Sequence, residues 1–253
     1  MNNSENTNMN QPAVSAQWAM QEYSAARDAE RSLLISKTPL SCGCTVVDIQ
    51  AAGGYLADGV DEMLQGEVEI ICIEPTKALN QRLNPKYKLV EDKIEQWPNI
   101  PSGCVDVVLG LAGLHHSNNQ QATVDEAYRV LKPNGCCSIC DVRESSAVAL
   151  WLNEYVHNNS SNGHIGHFLR PSQLSNMMEK TGFNQIDESV EKVPWVFQDE
   201  GHLARFFKGF FALKTTLEDI QIAIPRYFEI TSKNGSIAVN WELIYGIGYK
   251  PRV

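Results

Sequence analysis

The chain has 253 residues, of which 43% are hydrophobic, and its formal net charge at pH 7 is −9. This acidic balance and the lack of a Lys/Arg cluster exclude nucleic acid as an expected partner, because binding to phosphates generally requires a basic patch. No apolar run approaches the roughly 18 to 20 residues that span a bilayer, so the sequence predicts a soluble protein with no membrane partner.

The amino-terminal segment is polar. Residues 1–14 are rich in Asn, Ser and Gln and lack the apolar centre of a secretory signal, so we predict a disordered tail before a single domain of residues 15–253. A helix is predicted over about residues 15–34. Seven cysteines follow, mostly in or beside predicted strands, where free cysteine behaves as a small hydrophobe. We therefore expect reduced thiols in the cytoplasm rather than a zinc site.

The segment 45–55 reads T-V-V-D-I-Q-A-A-G-G-Y, which predicts a buried strand, a turn of small residues and a following helix. A second apolar run ends at Glu74, and a carboxylate there can accept hydrogen bonds from a ribose diol. Gln50 and Ala52 occupy two positions where a dinucleotide-binding turn would have glycine. The pattern therefore indicates a nucleoside site but does not favour pyrophosphate, which makes a dehydrogenase the less expected reading.

Strands and helices alternate along the next part of the chain. Strand two is predicted over 67–75, strand three over 87–92, and strand four over 105–110, followed by Leu-His-His at 114–116. A helix then closes with a Pro/Gly turn at 126–135, and strand five covers 136–142. Strand six is predicted near 183–190 and strand seven within 237–249, after the turn signal Asn234-Gly235. Such alternation predicts a parallel α/β sheet with helices on both faces.

Several of these motifs resemble class I S-adenosylmethionine-dependent methyltransferases. The run D-I-Q-A-A-G-G at 48–54 is similar to their motif I, with its last glycine at Gly54, and V-D-V-V, L-H-H and R-V-L-K-P-N-G resemble the methyltransferase type 11 family in sequence and order. The resemblance covers about residues 40–190. It implies a Rossmann-like doubly wound sheet of seven strands in the order 3-2-1-4-5-7-6, with strand seven antiparallel, and S-adenosyl-L-methionine as the cofactor.

The same resemblance implies a cofactor role for individual positions. Asp48 is expected near the methionine ammonium group, with capping of the turn as its structural alternative. Gln50, Ala52 and Gly54 are expected to line the loop, and Glu74 to bind the ribose hydroxyls. The remaining expected contacts are Asp92, Lys93 and Ile94 at the adenine edge, and Leu111 with Ala112 beside the cofactor.

Four histidines are candidate catalytic bases, because a neutral imidazole can accept a proton near pH 7. His115 and His116 follow strand four, although the L-H-H pair has a purely structural alternative beside the cofactor. His164 and His167 lie in a later loop. Their H-x-x-H spacing lacks an identifiable third ligand, so no metal site is predicted. Residues after strand five are candidate substrate ligands, namely Asp141, Arg143 and Glu144.

Two segments fall outside the minimal sheet and are predicted to form helical lids, at about 144–168 and 196–230. The second carries Phe206, Phe207, Phe210 and Phe211, while Trp18 and Tyr23 add aromatic surface at the amino terminus. Aromatic residues at helical spacing are also ordinary packing residues. We predict methyl transfer to a small, apolar or aromatic molecule. The alternatives are ligand binding without methyl transfer, or a cyclisation or elimination. The oligomeric state stays open, and a homodimer is compatible with the sequence.

Overall fold

The computed structural model describes residues 24–161, 163–233 and 235–252. The predicted tail and the aromatic residues Trp18 and Tyr23 lie outside these residues. Within them, no helix has both the length and the apolar composition that a membrane span requires.

The centre of the fold is a mixed sheet of seven strands in the order β3-β2-β1-β4-β5-β10-β6. β10 pairs antiparallel with both β5 and β6, while β1 to β5 pair in parallel. The predicted fold class and strand order are therefore confirmed. The strands are β1 Thr45–Ile49, β2 Glu69–Ile73, β3 Lys88–Val90, β4 Val105–Leu111, β5 Leu131–Asp141, β6 Asn184–Lys192 and β10 Glu242–Tyr249.

The central strands of this sheet are buried on both sides, as is typical of parallel sheets with helices on both faces. In β1, Val46 belongs to one buried cluster, whereas Val47 and Ile49 belong to the other. The α-helices are α1 Asp28–Lys37, α2 Tyr55–Met63, α3 Lys77–Asn80, α4 Gln120–Val130, α5 Ala147–Leu150, α6 His157–Asn159, α7 Gln173–Thr181, α8 Glu200–Phe210 and α9 Leu217–Tyr227. Short 3₁₀-helices occupy Ser24–Arg27 and Leu114–His116.

The prediction for strand seven was wrong in its first part. Residues 237–249 divide at Trp241, so that Ser236–Val239 forms β9 and only Glu242–Tyr249 joins the main sheet. β9 lies between β7 (Trp195–Phe197) and β8 (Ile230–Lys233) in a separate antiparallel sheet. Asn240 and Trp241 lie outside both strands, so the chain leaves the small sheet before it enters the main one.

Strand five also starts earlier than predicted. Leu131 already pairs with Val105, and the register shifts before Cys136 pairs with Val107. The intervening Pro/Gly turn includes Asn134, which has a left-handed φ of 63°. The predicted turn is therefore a bulge inside the strand rather than the end of a helix, which closes earlier, at Val130.

The two segments predicted as lids differ in regularity. In the first, α5 continues as a π-helix over Trp151–Val156 and then as α6. The second contains α8 and α9, as predicted, but it also begins in β7 and reaches β8. α8 is capped by Asp199, and α9 begins with a capping box formed by Thr216 and Asp219.

Candidate active site

Four parallel strands bring polar residues to one edge of the sheet. β1, β2, β4 and β5 run in the same direction, so their carboxyl ends meet at the same edge. Asp48 lies near the end of β1, Glu74 follows β2, and Asp141 ends β5. Ligands bind in open α/β sheets at this edge.

The loop after β1 has a left-handed backbone at most of its positions. The φ angles are 54° at Gln50, 45° at Ala52, 86° at Gly53 and 96° at Gly54. A residue with a Cβ atom pays about 1–2 kcal/mol for this conformation, which glycine adopts freely. Gln50 and Ala52 therefore keep the backbone expected of glycine at these positions although their side chains differ.

A glycine on the neighbouring loop accommodates the side chain of Gln50. A Cβ atom added at Gly113, just after β4, would lie 2.9 Å from Gln50 Cβ and 3.4 Å from Gln50 Cγ. Cβ atoms essentially never approach another heavy atom within 3.0 Å. Gly113 is thus the small residue that allows close packing here, and it lies on the loop that faces motif I. The sequence pattern of motif I itself does not indicate this contact.

Glu74 is fully buried and connects β2 to this loop. Its Oε2 accepts a hydrogen bond from the Ala52 amide at 2.9 Å, and its Oε1 accepts one from the Thr76 amide at 2.8 Å. Burial raises the pKa of Glu74, and these amide hydrogen bonds act in the opposite direction. Each carboxylate oxygen has a second lone pair, so the group can still accept hydrogen bonds from a ribose.

Asp48 has an oxygen suited to a cationic ligand. Burial raises the pKa of its carboxyl well above the ordinary value, whereas a hydrogen bond from the Ala57 amide lowers it. Among residues 24–161, 163–233 and 235–252, nothing donates a hydrogen bond to its Oδ2 atom. A buried carboxylate is stabilised by a nearby positive charge, so this position fits the ammonium group of S-adenosylmethionine.

The residues predicted at the adenine edge occupy three different environments. Asp92 is half-buried, and its two oxygens accept from Asn99 Nδ2 at 3.2 and 3.0 Å. Lys93 is exposed, whereas Ile94 packs in the hydrophobic core. Leu111 is half-buried and lines the cavity described below. Their contacts with the cofactor stay predictions.

Three of the four candidate histidines form one buried cluster. The ring centroid of His115 lies 4.0 Å from that of His116 and 5.5 Å from that of His164, and the His116 and His164 centroids are 5.4 Å apart. Burial lowers the pKa of His164 to about 3, and His115 and His157 add to this effect. His167 is exposed and is separate from the cluster, although its amide donates to the His115 carbonyl oxygen at 3.0 Å.

Asp141 orients His115. Its Oδ1 accepts from His115 Nδ1 at 2.6 Å, and its Oδ2 accepts from the His115 amide at 3.0 Å. The carboxylate therefore holds the proton of His115 on Nδ1 and leaves Nε2 as the acceptor atom. The predicted roles of Asp141, Arg143 and Glu144 as substrate ligands stay predictions. Arg143 Nε donates to Glu242 at 2.9 Å, and Glu144 is exposed.

A cavity of about 70 Å³ is lined by residues of the sheet edge and by aromatic residues in and next to the second segment. One side is formed by Gln50, Ala52 and Leu111, with the three clustered histidines beside them. The aromatic part of the lining consists of Trp195, Phe210, Phe211 and Trp241. Phe207 is buried behind this wall and does not line the cavity.

A buried ion pair forms another part of the cavity wall. Arg27 pairs with the carboxylate of Glu30, which also accepts a hydrogen bond from Trp195 Nε1 at 3.0 Å. The Arg27 guanidinium lies over the rings of Trp195 and Phe210, at 5.3 and 4.8 Å from their centroids. Sequence reasoning missed this pair, because Glu30 lies 165 positions from Trp195 and its burial depends on the tertiary fold.

Comparison with known proteins identifies relatives of this architecture. The family model described as "Methyltransferase domain" matches residues 19–188. No curated protein sequence matches the chain. Among solved structures, YcgJ from Bacillus subtilis is similar over 89% of this chain and 100% of its own, with a TM-score of 0.61 at 19% identity.

Two further structures are similar over most of this chain. The [4+2]-cyclase SpnF is 15% identical, with 90% of this chain and 82% of that chain covered and a TM-score of 0.59. Phosphoethanolamine N-methyltransferase 2 of Haemonchus contortus, solved with phosphomonomethylethanolamine and S-adenosylhomocysteine, is also 15% identical. The similarity covers 88% of this chain and 52% of that one, with a TM-score of 0.61. At these identities the structures show a shared fold.

Proposed function

Because the chain belongs to the methyltransferase domain family and is an S-adenosylmethionine-dependent methyltransferase, we propose that its methyl acceptor is a small, apolar or aromatic molecule. The observation that carries this proposal is the cavity lined both by residues of the loop after β1 and by Trp195, Phe210, Phe211 and Trp241. One molecule bound there would contact both the motif I loop and the aromatic wall. Ligand pockets of this kind are mostly apolar with a few placed polar groups.

The proposed cofactor contacts rest on the family resemblance, and the positions of Asp48 and Glu74 at the sheet edge support them. Asp48 would bind the ammonium group, Glu74 the ribose hydroxyls and Asp92 the adenine edge. The loop from Gln50 to Gly54 would lie against the cofactor, with Leu111 beside it. The bound cofactor supplies an electrophilic methyl group, and alignment of two reactants can contribute roughly 7–11 kcal/mol to catalysis.

The aromatic wall supports an apolar acceptor. The rings of Trp195 and Trp241 stack with centroids 3.8 Å apart, and Phe210 and Phe211 meet edge to face at 4.8 Å. Such contacts hold the wall in one arrangement, since aromatic pairs contribute about 0.5–1.5 kcal/mol beyond their buried area. A flat or compact apolar molecule would therefore meet a preformed surface.

The histidine cluster supports a reacting oxygen or nitrogen at the polar end of the cavity. His115 Nε2 is a hydrogen-bond acceptor because Asp141 holds the proton on Nδ1. Proton removal, where the acceptor requires it, falls to this cluster. His167 is exposed and lies outside the cluster, and its role as a base stays a prediction.

The cellular setting belongs to the same proposal. All seven cysteines are free thiols, and four of them lie in the central strands. Burial raises the pKa of Cys136 to about 12, so its thiol stays protonated at neutral pH. Such thiols are compatible with a reducing cytoplasm. We also propose that the partner is a small molecule rather than nucleic acid or a membrane.

Isotopic labelling tests the proposed function. The protein is incubated with methyl-labelled S-adenosylmethionine and a fractionated metabolite extract, and the products are identified by mass spectrometry. We expect a labelled product in the apolar small-molecule fraction and none with Glu74→Ala. Label found only in macromolecules or in highly polar metabolites would contradict the proposal. A substrate that is converted without a methyl mass increase would instead support the alternative of cyclisation or elimination.

A further inference from the structure

We propose that His115, His116 and His164 bind a divalent transition-metal ion, such as Zn²⁺, at the polar end of the acceptor cavity. This metal site would deepen the proposed function. Only the use of the ion in catalysis rests on that function. Binding of the ion itself is a property of the protein alone, so it can be tested without an acceptor.

The three imidazoles are close enough to share one ion. One ring nitrogen from each lies within 4.8 Å of the other two, and all three side chains are buried. Tetrahedral Zn²⁺ with Zn–N distances of about 2.0–2.1 Å needs nitrogens roughly 3.4 Å apart. The rings therefore need to approach one another by about 1 Å or slightly more, which small side-chain rotations can supply.

The partner of His115 is one that typically orients a metal ligand. Asp141 accepts from Nδ1 at 2.6 Å, so the lone pair of Nε2 is available. A carboxylate that holds one ring nitrogen while the other binds a metal is a recurring arrangement at zinc sites, where it fixes the ring and increases its basicity. Asp141 is itself held by the amides of His115 and Val142.

His164 is oriented independently, by Asn153. The Gly166 amide donates to Asn153 Oδ1 at 3.0 Å, and Asn153 Nδ2 donates to the Gly166 carbonyl at 3.3 Å. These bonds fix the oxygen of Asn153 towards His164 Nδ1, which lies 3.3 Å away and therefore acts as the donor. The Nε2 atom of His164 carries the lone pair, and it has no hydrogen-bond partner within the described ranges.

This arrangement suits a metal better than it suits imidazoles alone. The rings of His115 and His164 have defined tautomers. In each, Nδ1 donates to a fixed oxygen, of Asp141 or of Asn153, and Nε2 keeps the lone pair. A buried acceptor atom without a donor costs about 1–3 kcal/mol, which a coordinated cation would remove. Imidazole is a preferred ligand of Zn, Cu, Fe and Ni ions, and three histidines leave a fourth position open. An acceptor oxygen in that position would lose its proton to water more easily, and the ion would then act in place of His115 Nε2, whose lone pair it would bind.

Metal titration of the full chain tests the proposal. Zn²⁺ is added to metal-free protein and binding is measured by calorimetry, with stoichiometry determined by elemental analysis. We expect one tightly bound ion per chain and at least 100-fold weaker binding for His164→Gln. Asp141→Asn should weaken binding about 10- to 100-fold, because it removes the partner that orients His115. His167→Gln is the matched control, because His167 is only three positions from His164 but lies outside the cluster. This variant should bind Zn²⁺ as tightly as the natural protein does.

Three outcomes would overturn the site. They are the absence of a stoichiometric ion, unchanged affinity in His164→Gln, or equal weakening in the His167→Gln control. Cobalt provides a second readout, because Co²⁺ bound by three nitrogens in a four-coordinate site gives an intense visible spectrum that should disappear in His164→Gln. Circular dichroism identifies any variant that fails to fold, and Asp141→Asn and His115→Gln then replace it. Binding of adenosylhomocysteine to the same samples reports separately on the methyltransferase site.

Discussion

Gly113 allows Gln50 to occupy a glycine position of motif I, and this relation can be tested by exchanging the side chains. In Gly113→Ala, the new Cβ would lie 2.9 Å from Gln50 Cβ and 3.5 Å from the carbonyl oxygen of Ile49. Neither neighbour is the flexible end of a side chain, so the loops must separate. In Gln50→Gly/Gly113→Ala, the Cβ and Cγ atoms of residue 50 are absent, so the clash is removed.

The magnitude follows from two opposing effects. Overpacking of a well-packed site costs typically 1–3 kcal/mol. Replacement of glycine by alanine at a compatible backbone conformation recovers about 0.4–1 kcal/mol through the unfolded chain. We therefore expect Gly113→Ala to lower the free energy of unfolding by about 1–2 kcal/mol. Gln50→Gly alone should change it by no more than about 1 kcal/mol, because relief of left-handed strain offsets the flexibility of glycine.

Urea denaturation of the four proteins in the cycle measures the coupling. We expect an interaction energy of about 1 kcal/mol or more, with the double variant more stable than the sum of the single changes predicts. Gly110→Ala, in β4, is the matched control. Its new Cβ would meet Ile139 and Ile49 at 3.4 to 3.8 Å, which are ordinary contact distances. Additive effects within 0.3–0.5 kcal/mol would refute the reasoning, because uncoupled sites behave in this way.

Three further changes have defined outcomes. Ala52→Gly should raise the free energy of unfolding by about 0.5–1 kcal/mol in a urea melt, because φ is 45° there, and a loss of stability would contradict the strain assigned to this loop. Phe211→Leu should raise the KM for the acceptor several-fold, whereas Phe207→Leu, behind the cavity wall, should lower stability by about 1 kcal/mol or more with KM unchanged; equal effects on KM would remove the distinction. Hydrogen bonds from Arg129 lower the pKa of Glu126, so its contribution to stability is present above the ordinary value of 4.5 and is lost as pH falls through the lower folded value. Glu126→Gln should therefore cost about 1 kcal/mol at pH 7 and progressively less as pH falls below 4.5, and a gap that stays constant in acid would disprove this linkage.

The central sheet could be predicted from the sequence because local patterns determine it. The β-branched runs in β1, β2 and β4 are buried on both faces, and each ends at a recognisable turn. The position of Glu74 followed from the same pattern. The small sheet could not be predicted, because β7 has only three residues and depends on pairing with β9, 40 to 44 positions away in register.

The histidine cluster shows a different limit of sequence reasoning. The four histidines were identified, but His164 lies 49 positions after His115, and H-x-x-H spacing paired it with His167 instead. Asn153 and Gly166 position the loop of His164 through tertiary hydrogen bonds, which have no local pattern. The left-handed backbone of Gln50 and Ala52 was equally hidden, because residues with a Cβ atom rarely adopt it.

A crystal structure of the complex with S-adenosylhomocysteine is the most direct measurement of the proposed site. We predict that the ribose hydroxyls contact Glu74, that the amino group lies beside Asp48, and that the sulfur atom faces the cavity lined by Trp195 and Phe211. A nucleoside bound away from the carboxyl ends of β1 and β2 would contradict the account, as would a sulfur atom directed away from that cavity.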